Sequence, residues 1–304
     1  MLKASVRVPA SSANLGPGFD ALGLALELYL ECDFESTGEL RIEVEGRDAA
    51  CIPTGADNLI WQTALTIAAR AGRELPPILL RIRNDIPLGK GLGSSAAALT
   101  AGVVIADRLL GFGWSRDRIL DEAARLEGHP DNVAACVLGS IVASAIDSSG
   151  AARTVRLDWP ANFGVAIVVP NFTLPTSKAR AVLPECYPKA DAIFNIQCAT
   201  LLIAALATGT AAAFPAALDD RMHQSYRASL VPGLAEILKL RAPGLLGCAL
   251  SGAGPSVLVF YERGSEDVCD LVRQIFAARD CCAEIFFTRV AASGYELKFD
   301  GADA

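Results

Sequence analysis

Ile86-Pro-Leu-Gly-Lys-Gly-Leu-Gly-Ser-Ser-Ala-Ala-Ala98 is the stretch on which the reading of this chain turns. A short alternating run, Leu80 to Arg83, comes before it, and an Ala-rich helical segment follows Ser94 and Ser95 and ends near Gly111. Glycines at positions 89, 91 and 93 let the backbone take positive φ and lie close to a ligand. The N–H groups that open a helix have no partner inside it, and the helix dipole adds positive character at the same end. A strand, a glycine loop and a helix start together make a seat for phosphate. The spacing is not that of a Walker A loop, because Lys90 lies among the glycines and is followed by Gly91 rather than Ser or Thr. It is not a dinucleotide fingerprint either.

Outward from the loop, the periods are those of an α/β protein. Leu26 to Phe34 and Leu40 to Glu45 alternate as strands with one wet face. Asp57 is placed to cap a helix through Trp61 and Leu65 to Ala71, stopped by Gly72. A third helix opens near Ser115, carries Ile119, Leu120, Ala123 and Leu126 on one face, and ends at Gly128. The segment His129 to Val137 reads as a short helix leading to a strand near Ile141. Ser148, Ser149 and Gly150 form the best candidate boundary, dividing the chain into 1–150 and 151–304. The second part runs strand (Gly164 to Val169), helices, strand (Gly247 to Leu250), strand (Ser256 to Tyr261), helix (Glu266 to Ala278), strand (Ala283 to Thr288), an α+β order.

Composition narrows the function classes. A formal charge of −7, with Lys and Arg spread evenly, supplies no basic stripe for nucleic acid. The nine cysteines show no C-x-x-C spacing, which argues against a zinc site or a disulfide framework. The longest apolar stretch, Ile193 to Ala207, is interrupted by Asn195, Gln197 and Thr200 and reads as a buried helix rather than a membrane span. The opening MLKASVRVPA leads directly into an alternating strand with no secretion-type apolar core, so a cytoplasmic location is expected.

The string P-x-x-x-G-L-G-S-S-A resembles the phosphate loop of the GHMP kinases, a family that includes galactokinase, homoserine kinase, mevalonate kinase and phosphomevalonate kinase. Pro9-Ala-Ser-Ser-Ala-Asn-Leu-Gly-Pro-Gly-Phe-Asp20 is similar to the family's first motif, and Leu250-Ser-Gly-Ala-Gly-Pro-Ser256 to its third. The form of the first motif resembles that of the homoserine kinases in particular. Glu127-Gly-His-Pro-Asp-Asn-Val133, Thr176-Ser-Lys-Ala-Arg180 and Tyr226-Arg-Ala-Ser-Leu-Val-Pro-Gly233 also resemble segments of that branch. The resemblance implies a two-domain α+β fold, with an amino-terminal half like ribosomal protein S5 domain 2 and a ferredoxin-like carboxy-terminal half.

The same resemblance implies roles. ATP is the expected phosphoryl donor, cradled by Pro87, Leu88, Gly89, Lys90, Gly91, Leu92, Gly93, Ser94, Ser95 and Ala96. Lys90 would add a point charge, and Asn58 stands either near the base or at a helix start. Mg²⁺ is expected on the Ser95 hydroxyl and the Glu127 carboxylate, oxygen ligands that suit it. The implied acceptor is L-homoserine: Asp20 with Asn14 would meet its ammonium, Arg180 and Arg227 its carboxylate, and Thr176, His129 and Asn132 would complete the pocket. Asn132 is the residue implied at the acceptor hydroxyl; Asp131 sits where mevalonate-type relatives keep an aspartate, and no general base is assigned. The branch also implies a possible homodimer. Two alternatives stay open from the sequence: a kinase of mevalonate or phosphomevalonate, whose acceptor has no ammonium for Asp20, and a binding protein of this fold without catalysis.

Overall fold

Two antiparallel-rich sheets carry the chain in the computed structural model, which describes residues 3–299. The first part contains β1 (Lys3–Asn14), β2 (Gly18–Ser36), β3 (Arg41–Gly46), α1 (Leu59–Arg70), β4 (Ile78–Asn84), α2 (Ser94–Leu110), α3 (Arg116–Glu127), α4 (Asp131–Leu138), β5 (Ile141–Ile146) and β6 (Ala152–Leu157). Next come β7 (Phe163–Pro170), α5 (Thr176–Ala181), α6 (Lys189–Thr208), α7 (Phe214–Ala217), α8 (Gln224–Arg227), α9 (Leu234–Ile237), β8 (Leu245–Leu250), β9 (Val257–Glu262), α10 (Cys269–Ala277), β10 (Ala283–Thr288) and β11 (Glu296–Phe299).

In the larger sheet the order is β11-β1-β2-β4-β3, with β5 on β2 and β6 on β5; β3 and β4 run parallel and the other pairs antiparallel. Alternation settles which face goes inward. In β4, Ile78, Leu80 and Ile82 are buried while Arg81 and Arg83 stay in water and pair with Glu43 and Glu31 of neighbouring strands. The inner face packs under α2 and α4, where small residues such as Ala96, Ala97, Ala101, Ala134 and Ala135 allow close approach. The smaller sheet has the order β10-β7-β9-β8, all antiparallel. Its strands, taken in chain order as first to fourth, lie 4-1-3-2, which is the ferredoxin-like arrangement.

Three expectations are corrected. The turn at Ser148–Gly150 is a hairpin between two strands of one sheet, with Ile146 opposite Ala152. The sheets therefore part after Leu157, and β11 returns from the far end of the chain to β1, so a cut at residue 150 would sever paired strands. Asn58, not Asp57, caps α1: its Oδ1 accepts from the amides of Ile60 (3.0 Å) and Trp61 (3.4 Å) and its amide donates to Pro53 O (2.7 Å). That side chain is spent on the helix start. Finally, α6 is not a buried helix. It is long and apolar enough to cross a membrane by length and composition, but it packs along one stripe (Cys198, Leu202, Ala205, Leu206) and leaves Ile193, Ile196 and Leu201 exposed.

Candidate active site

The three glycine-rich segments meet where the two sheets face each other, and they are stitched by main-chain bonds. Ser11 N donates to Leu92 O (3.1 Å), Gly252 N to Ala13 O (3.1 Å) and Ser256 N to Lys90 O (3.3 Å). The Ser251 hydroxyl donates to Gly91 O (2.7 Å) and lies 2.8 Å from the Ser12 hydroxyl. Gly89, Gly91 and Gly93 all take left-handed φ, at 65°, 74° and 67°. A methyl on Gly91 would overlap the Ser251 carbonyl oxygen, and one on Gly93 the Ser11 hydroxyl. The glycines thus serve first to let three segments interlock.

That stitching has a chemical result. The carbonyls of Gly89, Lys90, Gly91, Leu92 and Gly93 each accept a hydrogen bond, from Leu174, Ser256, Ser251, Ser11 and Ala97. The amides of Gly89 through Ser95 form none with any of the described residues. Acceptors are turned into the protein and donors are left over at the start of α2, so the loop is a concave row of N–H groups suited to anionic oxygens.

A cleft of about 150 Å³ opens on this row. Its lining includes Pro87, Gly89 to Ser95, Glu127, His129, Asn132, Asn14, Asp20, Thr176, Arg180 and Arg227, so nearly every residue singled out in the sequence converges there. Leu88 and Ala96 do not line it: the Leu88 amide is tied to Asp48 Oδ2 (2.9 Å) and Ala96 is buried under the loop. Lys90 differs from expectation as well. Its ammonium donates to Pro170 O (2.8 Å) and Phe172 O (2.7 Å), fastening the loop to the end of β7.

Ser95 Oγ donates to Glu127 Oε2 at 3.3 Å, so a hydroxyl from the first turn of α2 and a carboxylate from the last residue of α3 sit side by side. Burial raises the Glu127 pKa, against the pull of His129, the Ser95 bond and Arg180. Two adjacent oxygen donors beside an anion cradle are a donor set that fits magnesium. Asp20, His129 and Asp131 also bring ligand atoms within 4.8 Å of one another, but they are already occupied. His129 Nδ1 is 2.5 Å from Asp131 Oδ1, and Asp20 is paired with Arg180. Burial disfavours the His129 cation, yet the Asp131 bond and the charges of Asp131, Glu127 and Asp20 raise its pKa overall.

Asn132, which lines the cleft, is oriented by Ser11, whose hydroxyl donates to its Oδ1 (2.9 Å), and its side-chain Nδ2 makes a long contact with Asp131 Oδ1 (3.5 Å). Arg180 and Asp20 form a two-point pair (2.8 and 3.1 Å), each side chain about one-third exposed. Asn14 holds Asp20 rather than standing free: its Oδ1 accepts the Asp20 amide (3.0 Å) and its Nδ2 donates to Gly252 O (3.0 Å). Arg227 is buried, with Nε on Ala179 O and Nη1 on Gly252 O and His223 Nδ1, so Nη2 is the nitrogen left for the cleft. Desolvation, then the Arg180 charge, lowers its pKa to about 10, and it stays cationic at neutral pH.

Sequence reading passed over Ser11, Phe19 and His223. Phe19 lines the cleft, stacks on His223 (5.3 Å) and lies under the guanidinium groups of Arg180 (5.5 Å) and Arg227 (5.4 Å). The available signals were the position of Ser11 and Phe19 inside the first motif and the placing of His223 four residues before Arg227.

An amide-lined anion cradle, a hydroxyl–carboxylate pair and side chains of both charge signs in one cleft are the parts of a phosphotransferase for small molecules. Comparison with known proteins makes the class specific. Family models for the GHMP kinases N terminal domain and the GHMP kinases C terminal match residues 58–140 and 202–274. A homoserine kinase of Solibacter usitatus is 67% identical over 292 residues, covering 96% of each chain, and one of Deinococcus radiodurans is 49% identical over 263 residues, covering 86% of this chain and 85% of the relative. The crystal structure of homoserine kinase from Cytophaga hutchinsonii superposes with a TM-score of 0.82 at 27% identity over 98% of both chains. This chain belongs to the homoserine kinase family within the GHMP kinases. A galactokinase of Lactococcus lactis, at 14% identity and a TM-score of 0.66, shares the fold alone.

Proposed function

We propose that the protein transfers the γ-phosphoryl group of ATP to the side-chain hydroxyl of L-homoserine, giving O-phospho-L-homoserine and ADP, a step toward threonine. The observation that carries this reading is the row of uncommitted amides from Gly89 to Ser95 opening on the same cleft as Asp20, Arg180 and Arg227. The amides and the α2 dipole would hold the triphosphate. Ser95 and Glu127 would hold Mg²⁺, which when bound supplies charge neutralisation on the phosphates.

The acceptor is a zwitterion with a hydroxyl, and the cleft has a group for each part. Asp20 would take the ammonium, and Arg180 with Nη2 of Arg227 the carboxylate. A part-exposed ion pair such as Asp20–Arg180 is worth about 1 kcal/mol or less. The substrate can therefore open it at small cost and replace it with two charge-assisted contacts. Mevalonate, whose carboxylate would draw Arg180 away while bringing no ammonium, would leave Asp20 without a cation, a loss on the order of 1–3 kcal/mol.

In the transfer, the acceptor oxygen bonds to the γ-phosphorus as the bond from phosphorus to the bridging oxygen of ADP breaks. In a loose transition state the hydroxyl proton moves little before this point, and it leaves as the new bond completes, to a phosphoryl oxygen and from there to solvent. Asn132, fixed by Ser11, would position the acceptor oxygen. Asp131 Oδ1 already receives His129 and the main-chain N–H of Asn132 (2.8 Å), so the chain's contribution is positioning and electrostatics rather than an unengaged base. A cytoplasmic location, where ATP is available, and a homodimer belong to the same proposal; the exposed Ile193, Ile196 and Leu201 of α6 support the second.

An ADP-release assay run in parallel on homoserine, mevalonate, phosphomevalonate and galactose tests the reading. Homoserine should give the highest kcat/KM by orders of magnitude, and preference for any other acceptor would overturn the assignment.

A further inference from the structure

Behind the cleft, the segment from Asp220 to Arg227 buries three polar side chains in one chain of contacts. Asp220 has a fully buried carboxylate, which accepts the amides of Met222 (3.0 Å), His223 (2.9 Å) and Gln224 (2.7 Å) and so fixes the start of α8. His223 has no exposed surface, and its ring is clamped on two sides: Nε2 lies 2.7 Å from Gly16 O and Nδ1 lies 3.0 Å from Arg227 Nη1. A carbonyl oxygen can only accept, so Nε2 must carry a proton. A guanidinium can only donate, so Nδ1 must present a lone pair. The two partners together demand the neutral Nε2–H tautomer, and Phe19 closes the ring face at 5.3 Å.

We infer that His223 is a positioning residue for acceptor recognition: as a neutral acceptor at Nδ1 it sets the angle of the Arg227 guanidinium and so aims Nη2 at the carboxylate of the substrate. Arg227 Nη1 is shared between His223 and Gly252 O (3.1 Å), and Nε is on Ala179 O (3.1 Å). Removing the imidazole acceptor leaves the guanidinium held only by the Nε bond to Ala179 O and the Nη1 bond to Gly252 O, so its angle is less tightly set. The charged groups around the ring are Asp220 (Nε2 to Oδ2 3.8 Å), Arg227 and Asp20, with Arg180 beyond Arg227. Burial is the leading influence on the ring and lowers its pKa, in keeping with a neutral imidazole. This inference rests on the homoserine reading for the identity of the anion, and on geometry alone for the tautomer.

Two amide replacements separate the two bonds. In His223→Asn the side-chain amide reaches the place of Nδ1 and can still accept from Arg227; in His223→Gln it reaches the place of Nε2 and serves Gly16 only. His223→Asn should keep a homoserine KM near that of the wild type. His223→Gln should raise that KM about tenfold or more, the scale of one lost charge-assisted bond, with kcat and ATP affinity close to wild type in both. Equal KM values for the two variants, in an enzyme that phosphorylates homoserine, would overturn the role of His223 and leave the function standing. A wild-type protein that releases no ADP with homoserine would instead overturn the acceptor assignment. Should either variant fail to fold, the wild type decides. The chain has only two histidines, so ¹⁵N-resolved imidazole spectra, assigned against a His129→Asn sample, report His223 directly. A neutral Nε2–H ring at pH 7 supports the inference, and an imidazolium or an Nδ1–H ring refutes it.

Discussion

Placing a methyl group on Gly91 tests the phosphate loop where it meets the backbone of the third motif, because Gly91 and Gly111 share nearly the same φ and differ in surroundings. Their φ values are 74° and 67°. Gly111 ends α2 with nothing within 4 Å of where a Cβ would stand, so Gly111→Ala carries the left-handed penalty alone, about 1–2 kcal/mol. At Gly91 the same Cβ would overlap Ser251 O and stand 2.8 and 2.9 Å from the main-chain O and N of Gly254. All three are backbone atoms of the third motif, and they cannot swing aside as a side chain would. Overpacking of this kind adds about 1–3 kcal/mol, for a total of about 2–5 kcal/mol in Gly91→Ala. To relieve the overlap the loop must lift from Ser251, which breaks the Gly91 O bond that turns its amides toward the cleft. Loss of one charge-assisted bond to a phosphate costs about 1.5–3 kcal/mol, so ATP affinity should fall between roughly 10-fold and 150-fold. Urea melts of the two variants, together with calorimetric titration of ATP and magnesium, supply both quantities. If Gly91→Ala melts with Gly111→Ala and binds ATP as the wild type does, the loop is not wedged between the motifs as described.

Three further outcomes follow from the site. Arg180→Ala should raise the homoserine KM about 10- to 100-fold, the scale of a bidentate guanidinium contact, while ATP binds unchanged in a separate titration; equal damage to both would remove Arg180 from the acceptor pocket. Lys90→Met should leave Pro170 O and Phe172 O unpaired and cost about 1–3 kcal/mol in a urea melt, with ATP affinity nearly preserved; a large loss of ATP affinity would return the ammonium to the phosphates. Glu127 has its pKa raised, chiefly by burial, and as the proposed magnesium ligand it would have to ionise to hold the ion. The acid limb of kcat/KM should therefore sit above the usual glutamate value of about 4.3, shift to lower pH as magnesium is increased, and vanish in Glu127→Gln. Stability runs the other way: a carboxyl whose pKa is raised on folding favours the native state below its unfolded pKa and loses that contribution as pH rises through the folded value. A limb insensitive to magnesium would separate Glu127 from the metal.

Much of this protein is written locally. Ser115 and Gly128 bound α3, Gly111 ends α2, and the alternation of β4 shows which face is buried, because caps and periodicity depend on residues within a turn or two of each other. The glycine loop was legible for the same reason, and the family resemblance carried the cleft residues. Choices between distant partners were not. Asp57 and Asn58 are equally able to cap, and only the path of the chain from Pro53 selects Asn58. Lys90 bonds main-chain oxygens 80 and 82 residues away, Asn14 spans to Gly252 across 238, and β11 closes on β1 from the opposite end of the chain. Such pairings depend on which groups the fold brings within about 3 Å, so they are fixed by packing of both sheets at once and not by any stretch of sequence. The sequence determined which loop has the form of a phosphate cradle; the tertiary structure decided that the carbonyls of that loop face inward, that Asp20 and Arg180 hold each other, and that a buried histidine stands behind Arg227.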